Sequence, residues 1–487
     1  MTDLEKRPNS EQEKTMQGEH LWQWEAGALA EAIRQRRVSA REAVESCLAR
    51  IAQVNPVINA LTEIQEQAAL AAADKADQAV AAGGDLPPLH GVPATVKINV
   101  DQAGSATTNG VAPLVGLIAS VDSPPVANWR NAGTIFLGRS NAPAFSCRWF
   151  TDNAPHGRTL NPWNPGLNVG GSSGGAAAAT ATGMSPLAHC NDLAGSARLP
   201  AAACGVYGLR PTVGRVPAFN ATAKAERSLC LQFGSAQGVI ARSVGDIRLG
   251  LHSMARRDPR DPAWVPAPLE QPDDAAPVRV ALFTGVGEHR PDSHTAAALR
   301  QAADTLADAG YEVVEAAPPR FIETAELWMA LLSNDCRTPA ARAAFSMGDA
   351  DFLHSLELTA ACVPEMSPAD MLATLSARTG LLREWQLFLE AYPLLLMPTA
   401  WTAAFPVGHD IAGEREAREL LVAHSPCTST ACVSVPALTI PFRPAGSPLP
   451  VGIQLVAARF REGRILAAAQ AMASRLPPVS PIDPVTA

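Results

Sequence analysis

Residues Gly170–Gly175 read GGSSGG, and no other stretch narrows the folding choices of this chain as much. By composition, four glycines around two serines make a flexible tether or an anion-binding loop. The flanks fit a tether poorly. A proline-bearing approach, Asn161-Pro162-Trp163-Asn164-Pro165, leads in, and the helix-favouring run Ala176–Ala179 follows at once. What such a block does between those neighbours is the question the rest of the chain has to answer.

Around it, helical and strand-like patterns alternate. Leu21, Trp22, Trp24, Leu29 and Ile33 recur at helical spacing. Val38–Glu42 starts a second helix with a capping box, its apolar face at Val44, Cys47, Leu48 and Ile51. An alanine-rich third helix is predicted from Gln65 to Ala82, before Gly83-Gly84. Ala94–Val100 reads as a strand, with Val96, Ile98 and Val100 on one face and Thr95, Lys97 and Asn99 on the other. Helix then strand recurs at Val126–Asn131 and Thr134–Leu137, and again at Ser293–Ala309 and Tyr311–Glu315. Arg257–Ala276 is rich in proline and aspartate and reads as loop. Phe321–Glu390 is helical and comparatively rich in Trp, Met and Phe; strand signals return at Leu394–Pro398 and from Ala431 to Leu455. This alternation predicts an α/β fold with a mixed sheet between helices. A polar tail over 1–20 is expected to precede one domain over 21–487. Within it, helices span 21–90, the core 91–250, a helical insert 321–390 and a return to the sheet 391–475.

Composition removes several function classes. A formal net charge of −8 gives no phosphate-tracking surface, so no nucleic-acid partner is expected. No run of about 18 apolar residues suggests a membrane span, and the N-terminus lacks the apolar core of a signal peptide. Nine scattered cysteines without a C-x-x-C pair predict a reduced, cytoplasmic protein. The ten histidines show no tight ligand spacing, and His289 and His294 in GEHRPDSH read as solvated, so neither metal nor cofactor is expected. Of 39 basic residues only five are lysines, so Lys97, set in an apolar strand, invites a reason.

A serine nucleophile needs a base, an oxyanion site and tight backbone to hold both. The candidate pieces are Lys97, the pair Ser172/Ser173 and the stretch NDLAGSARLP, Asn191–Pro200. Successive N–H groups in such a small-residue turn can converge on an anion, and Ser196 stands at its end. Each piece has a plainer reading. Lys97 could pair with a carboxylate, Ser196 could cap the segment after it, and GGSSGG could be a linker. A β-lactamase-type site finds no support, since the chain has neither S-x-x-K nor K-T-G.

Together, at their spacings, these segments resemble the amidase signature family of serine hydrolases. The resemblance runs from GVPATVK (Gly91–Lys97) through the TTNG turn (Thr107–Gly110) and NPWNPGLNVGGSSGG to NDLAGSARLPAAACGVYGLRPTVGRVP. It closes with VSVPALTIPFRPAGSPLPVGIQLVAARFREGRIL and covers roughly Leu21 to the end. NDLAGS is similar to the branch holding nylon cyclic-dimer hydrolases, aryl-acylamidases and urethanase-like enzymes.

The resemblance implies an α/β/α sandwich with a large mixed central sheet. It implies a catalytic triad of Lys97, Ser172 and Ser196, with Ser172 following a cis peptide bond from Gly171 and Ser173 steadying the lysine. The N–H groups of Leu193, Ala194, Gly195 and Ser196 would form the oxyanion hole, supported by an ion pair of Asp192 and Arg198. Lys97 has to be neutral, which burial favours by penalising the ammonium. Cys147, Trp328, Met329 and Phe352 fall where the family shapes its acyl pocket. Two departures stand out: Ile98 replaces the usual acidic residue after the lysine, and Ala194 replaces a frequent glycine. The implied activity is hydrolysis of the C–N bond in an aryl, acyl or oligomeric amide or in a carbamate, the only partner being that small molecule, with a homodimer allowed. The alternatives are an amidotransferase component of the aminoacyl-tRNA type and a non-catalytic binding protein on the same scaffold.

Overall fold

Short aliphatic runs form eleven strands among the residues described, which are 20–270, 278–444 and 446–486 of this computed structural model. They are β1 (Leu61–Ile64), β2 (Pro93–Lys97), β3 (Ile135–Ser140), β4 (Leu187–Asp192), β5 (Tyr207–Arg210) and β6 (Ala236–Ala241). Then come β7 (Arg279–Leu282), β8 (Glu312–Glu315), β9 (Leu394–Pro398), β10 (Ala437–Phe442) and β11 (Val451–Val456). All join one sheet in the order β1-β3-β2-β4-β6-β5-β10-β11-β9-β7-β8. β2 runs parallel to β3 and β4, the middle of the sheet is antiparallel, and β9, β7 and β8 are parallel again.

Strand alternation sends side chains into two layers. On β6, Val239 and Ala241 face a core shared with Ile247, Leu251, Leu299 and Ile465, which lie on the helices Val244–Met254, Ser293–Asp308 and Glu462–Ala473. Ile240, between them, packs on the other side with Ala176–Ala179, Val44 and Ile51. On β9, Leu394 and Leu396 join the first core, while Leu395 and Met397 meet Trp328, Leu331 and Trp385 on the opposite side. The sheet is therefore mixed and covered by helices on both faces, as the resemblance implied.

The GGSSGG block is wedged in place. It opens the helix Gly174–Ala181, which is buried along its whole length. A Cβ on Gly171 would fall 2.4 Å from the Trp149 carbonyl carbon, and one on Gly175 would fall 2.4 Å from the Asn141 nitrogen. Glycine is thus required by close backbone approach, not by flexibility.

Three details depart from the sequence reading. β2 ends at Lys97 instead of Val100, because the Arg139 guanidinium donates to the carbonyls of Lys97 and Val100 and draws the chain into a turn. Ala431 lies in the helix Ser425–Cys432, where Pro426 suits the first turn, so strand structure begins only at Ala437. His289 is buried, its Nδ1 2.9 Å from Ser425 Oγ, whereas His294 is exposed as expected. The insert is four helices, Phe321–Cys336, Pro339–Phe345, Ala350–Ala361 and Pro368–Ala391. Residues 1–19 of the expected tail and 271–276 of the expected loop lie outside the described residues. No described helix is long and apolar enough to cross a membrane, and no described His, Cys, Asp and Glu group is arranged to hold a metal.

Candidate active site

Lys97 stands at the carboxyl end of β2, and the GGSSGG helix start lies over it. The amine is fully buried, 2.7 Å from Ser172 Oγ, 3.0 Å from Ser173 Oγ and 2.8 Å from Asn191 Oδ1. The peptide between Gly171 and Ser172 is cis. Burial drives the Lys97 pKa down to about 7 despite the opposing influence of nearby Cys190 and Asp192. Asn191 Nδ2 donates to Asn99 Oδ1 at 3.0 Å, which turns the Asn191 side-chain oxygen, Oδ1, to the lysine. Ser173 Oγ can donate to the Asn191 carbonyl at 3.4 Å, and Ser173 N donates to the Ser196 carbonyl at 3.2 Å, tying the two serine segments together. Gly170–Gly174 also spells G-x-S-x-G, yet no strand leads into it as a nucleophile elbow requires.

The loop after β4 is held from both sides. Asp192 accepts from Gly195 N (2.8 Å) and Ala197 N (3.1 Å) and takes a two-pronged grip from Arg198 at 2.9 and 3.0 Å. Arg210 lies 3.6 Å from the same carboxylate. Burial alone would raise the Asp192 pKa, but Arg198 and Arg210 outweigh it and hold the carboxyl well below its usual range. Opposite, Trp328 Nε1 donates to the Leu193 carbonyl and Trp149 Nε1 to the Ala194 carbonyl, each at 2.9 Å. In a trans peptide C=O and N–H point opposite ways, so each indole also aims the following N–H. The Ala194 N–H is thereby turned away from Trp328, and the Gly195 N–H away from Trp149 onto Asp192.

That geometry corrects the expected oxyanion set. The Gly195 N–H is occupied by Asp192, whereas the N–H groups of Leu193, Ala194 and Ser196 carry no hydrogen bond to a described residue. Leu193, Ala194 and Ser196 all line a cavity of about 620 Å³. Met329 and Cys147 line it too, and burial pushes the Cys147 thiol up to about 12, so it is no thiolate. Trp328 and Phe352 are core residues instead. Trp328 packs behind the loop it holds, and Phe352 lies beneath Phe345, which does face the cavity. Sequence reasoning missed Asn191 as a lysine partner, though it opens the quoted NDLAGS stretch. It also missed Asn99, Ser355 and Asp410, and nothing in the local sequence around Ser355 or Asp410 marked them.

The family described as Amidase matches residues 42–466. The chain belongs to the amidase family. An indoleacetamide hydrolase of Bradyrhizobium diazoefficiens is 41% identical to this amidase over 456 residues, covering 93% of this chain and 87% of that protein. One component of the glutamyl-tRNA(Gln) amidotransferase of Synechococcus sp. is 31% identical over 470 residues, covering 90% and 95% of the two chains. The solved structure of 6-aminohexanoate cyclic dimer hydrolase with its substrate superposes with a TM-score of 0.80 at 28% identity, covering 94% of this amidase and 98% of that chain.

Proposed function

We propose that this amidase hydrolyses the C–N bond of an amide with an aryl or other apolar acyl group, of the arylacetamide kind, through an acyl-enzyme on Ser196. Aryl carbamates are a second substrate class for the same attack. The observation that carries the reading is the dry Lys97 amine 2.7 Å from the Ser172 hydroxyl, with the adjoining Ser173 N–H bonded to the carbonyl of Ser196, which lines the cavity.

Counting hydrogens gives the direction of proton flow. A neutral lysine has two N–H donors and one lone pair. Asn191 Oδ1 can only accept, and Ser173 can direct its own hydrogen to the Asn191 carbonyl, so both N–H groups have acceptors. The lone pair then faces Ser172, whose proton Lys97 receives as Ser172 takes one from Ser196. Ser196 Oγ forms a bond to the substrate carbonyl carbon, and the N–H groups of Leu193, Ala194 and Ser196 receive the developing O⁻. The relay runs backwards to protonate the leaving nitrogen as the C–N bond breaks, because an amide anion is too basic to depart alone. Water repeats the sequence on the ester, releasing the acid, or carbonic acid monoester from a carbamate. A reducing compartment suits the free cysteines.

The test is purified protein assayed on arylacetamides, anilides, linear oligoamides and aryl carbamates, with a fluorophosphonate probe mapped by mass spectrometry. Turnover and an adduct on Ser196, both lost in Ser196→Ala, are expected. Turnover that survives this substitution rejects the scheme. The likeness to an amidotransferase component supports a second reading, a protein that works within an assembly. Sustained hydrolysis by the isolated chain decides against it.

Trp328→Phe keeps the ring but removes the donor to the Leu193 carbonyl. A loosened oxyanion loop predicts a fall in kcat of about tenfold with KM little changed, measured by steady-state kinetics.

A further inference from the structure

The cavity wall contains a charged pair for which the proposed reaction has no use. Arg148 and Asp410 are 6% and 4% exposed, and both line the cavity beside Leu332, Leu353, Leu356 and Leu420. The guanidinium grips the carboxylate at Nε–Oδ2 2.8 Å and Nη2–Oδ1 3.1 Å, and Ser355 Oγ donates to Oδ2 at 3.3 Å. Desolvation makes an ion pair a costly way to build an apolar wall, and well-packed aliphatic residues would serve as well or better. The grip uses one edge of the fork. Arg148 Nη1 has no hydrogen-bond partner among the described residues, on a side chain that borders the cavity.

We propose that Arg148 Nη1 donates to a neutral acceptor, a carbonyl, amide or ether oxygen, on the part of the acyl group remote from the scissile bond. This deepens the proposed function and rests on its placing the acyl group in this cavity. A carboxylate is a poorer fit, because Asp410 already balances the guanidinium, and Asp152 and Asp349 lie close enough to act on it as well. A purely hydrocarbon acyl group leaves buried N–H donors unmatched, which a site of this kind penalises. The cavity therefore selects amides carrying a second, uncharged oxygen.

The experiment compares 4-acetylphenylacetamide, 4-isopropylphenylacetamide and 4-carboxyphenylacetamide, the first two alike in shape, on the full chain. In the wild type kcat/KM is expected to favour the acetyl compound over the isopropyl one by about tenfold or more, with the carboxylate below the acetyl compound. Arg148→Lys keeps a cation against Asp410 but has no second nitrogen to offer, so the acetyl-to-isopropyl ratio is expected to fall to about one. If R148K does not fold, the double variant R148Q/D410N replaces the ion pair by a neutral amide pair and is read by the same ratio. A wild-type ratio near one, a ratio unmoved in the variant, or preference for the carboxylate overturns the inference. Hydrolysis of none of the three sinks the acyl-cavity reading and this inference with it. Equal hydrolysis of acetyl and isopropyl compounds sinks this inference alone.

Discussion

Lys97→Met is expected to remove amide hydrolysis, with kcat/KM lower by a factor on the order of 10⁴, while the chain stays folded. Methionine fills the same channel without the amine, so Ser172 loses its proton acceptor and Ser196 its route to activation. The same physics sets the pH profile of the wild type. Because burial lowers the Lys97 pKa to about 7, the reactive neutral form accumulates as pH rises through that value. kcat/KM should climb about tenfold per pH unit below 7 and level off above it, and a profile flat from pH 5 to 8 would contradict a lysine base.

Stability should carry the same signature. Unfolded Lys97 holds its proton up to ~10.4, while the folded chain releases it at about 7. Between these values the unfolded state binds more protons, so the wild type gains stability relative to K97M as pH rises through that window. Below pH 7 the buried ammonium is a full penalty, and there the inactive variant should compare best with the wild type. Urea midpoints for both proteins at pH 6 and pH 9 check the sign.

Asp192→Asn is the second large effect. It keeps the shape of the side chain but removes the charge that Arg198 and Arg210 face, leaving two guanidinium groups inside the protein without their carboxylate. Breaking a buried pair in this way typically costs ~3–5 kcal/mol. The loss should appear as a lower urea midpoint at unchanged slope. Activity should fall too, because the asparagine amide keeps only one acceptor oxygen, so one of the Gly195 and Ala197 N–H groups that hold the proposed oxyanion loop loses its partner and faces an NH2 instead. Since the arginines depress the folded pKa, the carboxylate's contribution is fully present above the unfolded value of ~3.9. It is lost as pH falls toward the lower folded value. The gap between wild type and D192N should therefore hold from neutral pH to about 4 and narrow below it. A constant gap at pH 3 would mean that the charge is not what stabilises the loop.

Much of the architecture was legible before any coordinates, because helix and strand periodicity are local. The helix predicted over Gln65–Ala82 spans Glu66–Ala82, and the strand at Leu394–Pro398 has those same ends. Three of the misses share one cause, contacts from distant segments. β2 stops at Lys97 because Arg139, on β3, captures the carbonyls of Lys97 and of Val100 just beyond it, and no pattern within Ala94–Val100 announces that. His289 in its polar loop reads as solvated until Phe321 and Ser425 enclose it. Trp328 reads as pocket lining because it sits in an apolar helix; only packing turns it inward to the Leu193 carbonyl, 135 residues away in the chain.

The sequence by itself determined the short segments on which the proposed chemistry rests: the strand carrying Lys97, the glycine-framed serines and the NDLAGS turn. Each is specified by residue types a few positions apart, where backbone sterics and small side chains dictate the path. Tertiary structure alone decided which N–H groups stay unengaged around Ser196 and what the cavity wall offers. The Arg148–Asp410 pair spans 262 residues, and such a contact exists only because separate layers pack together, burying charge that local sequence would leave in water.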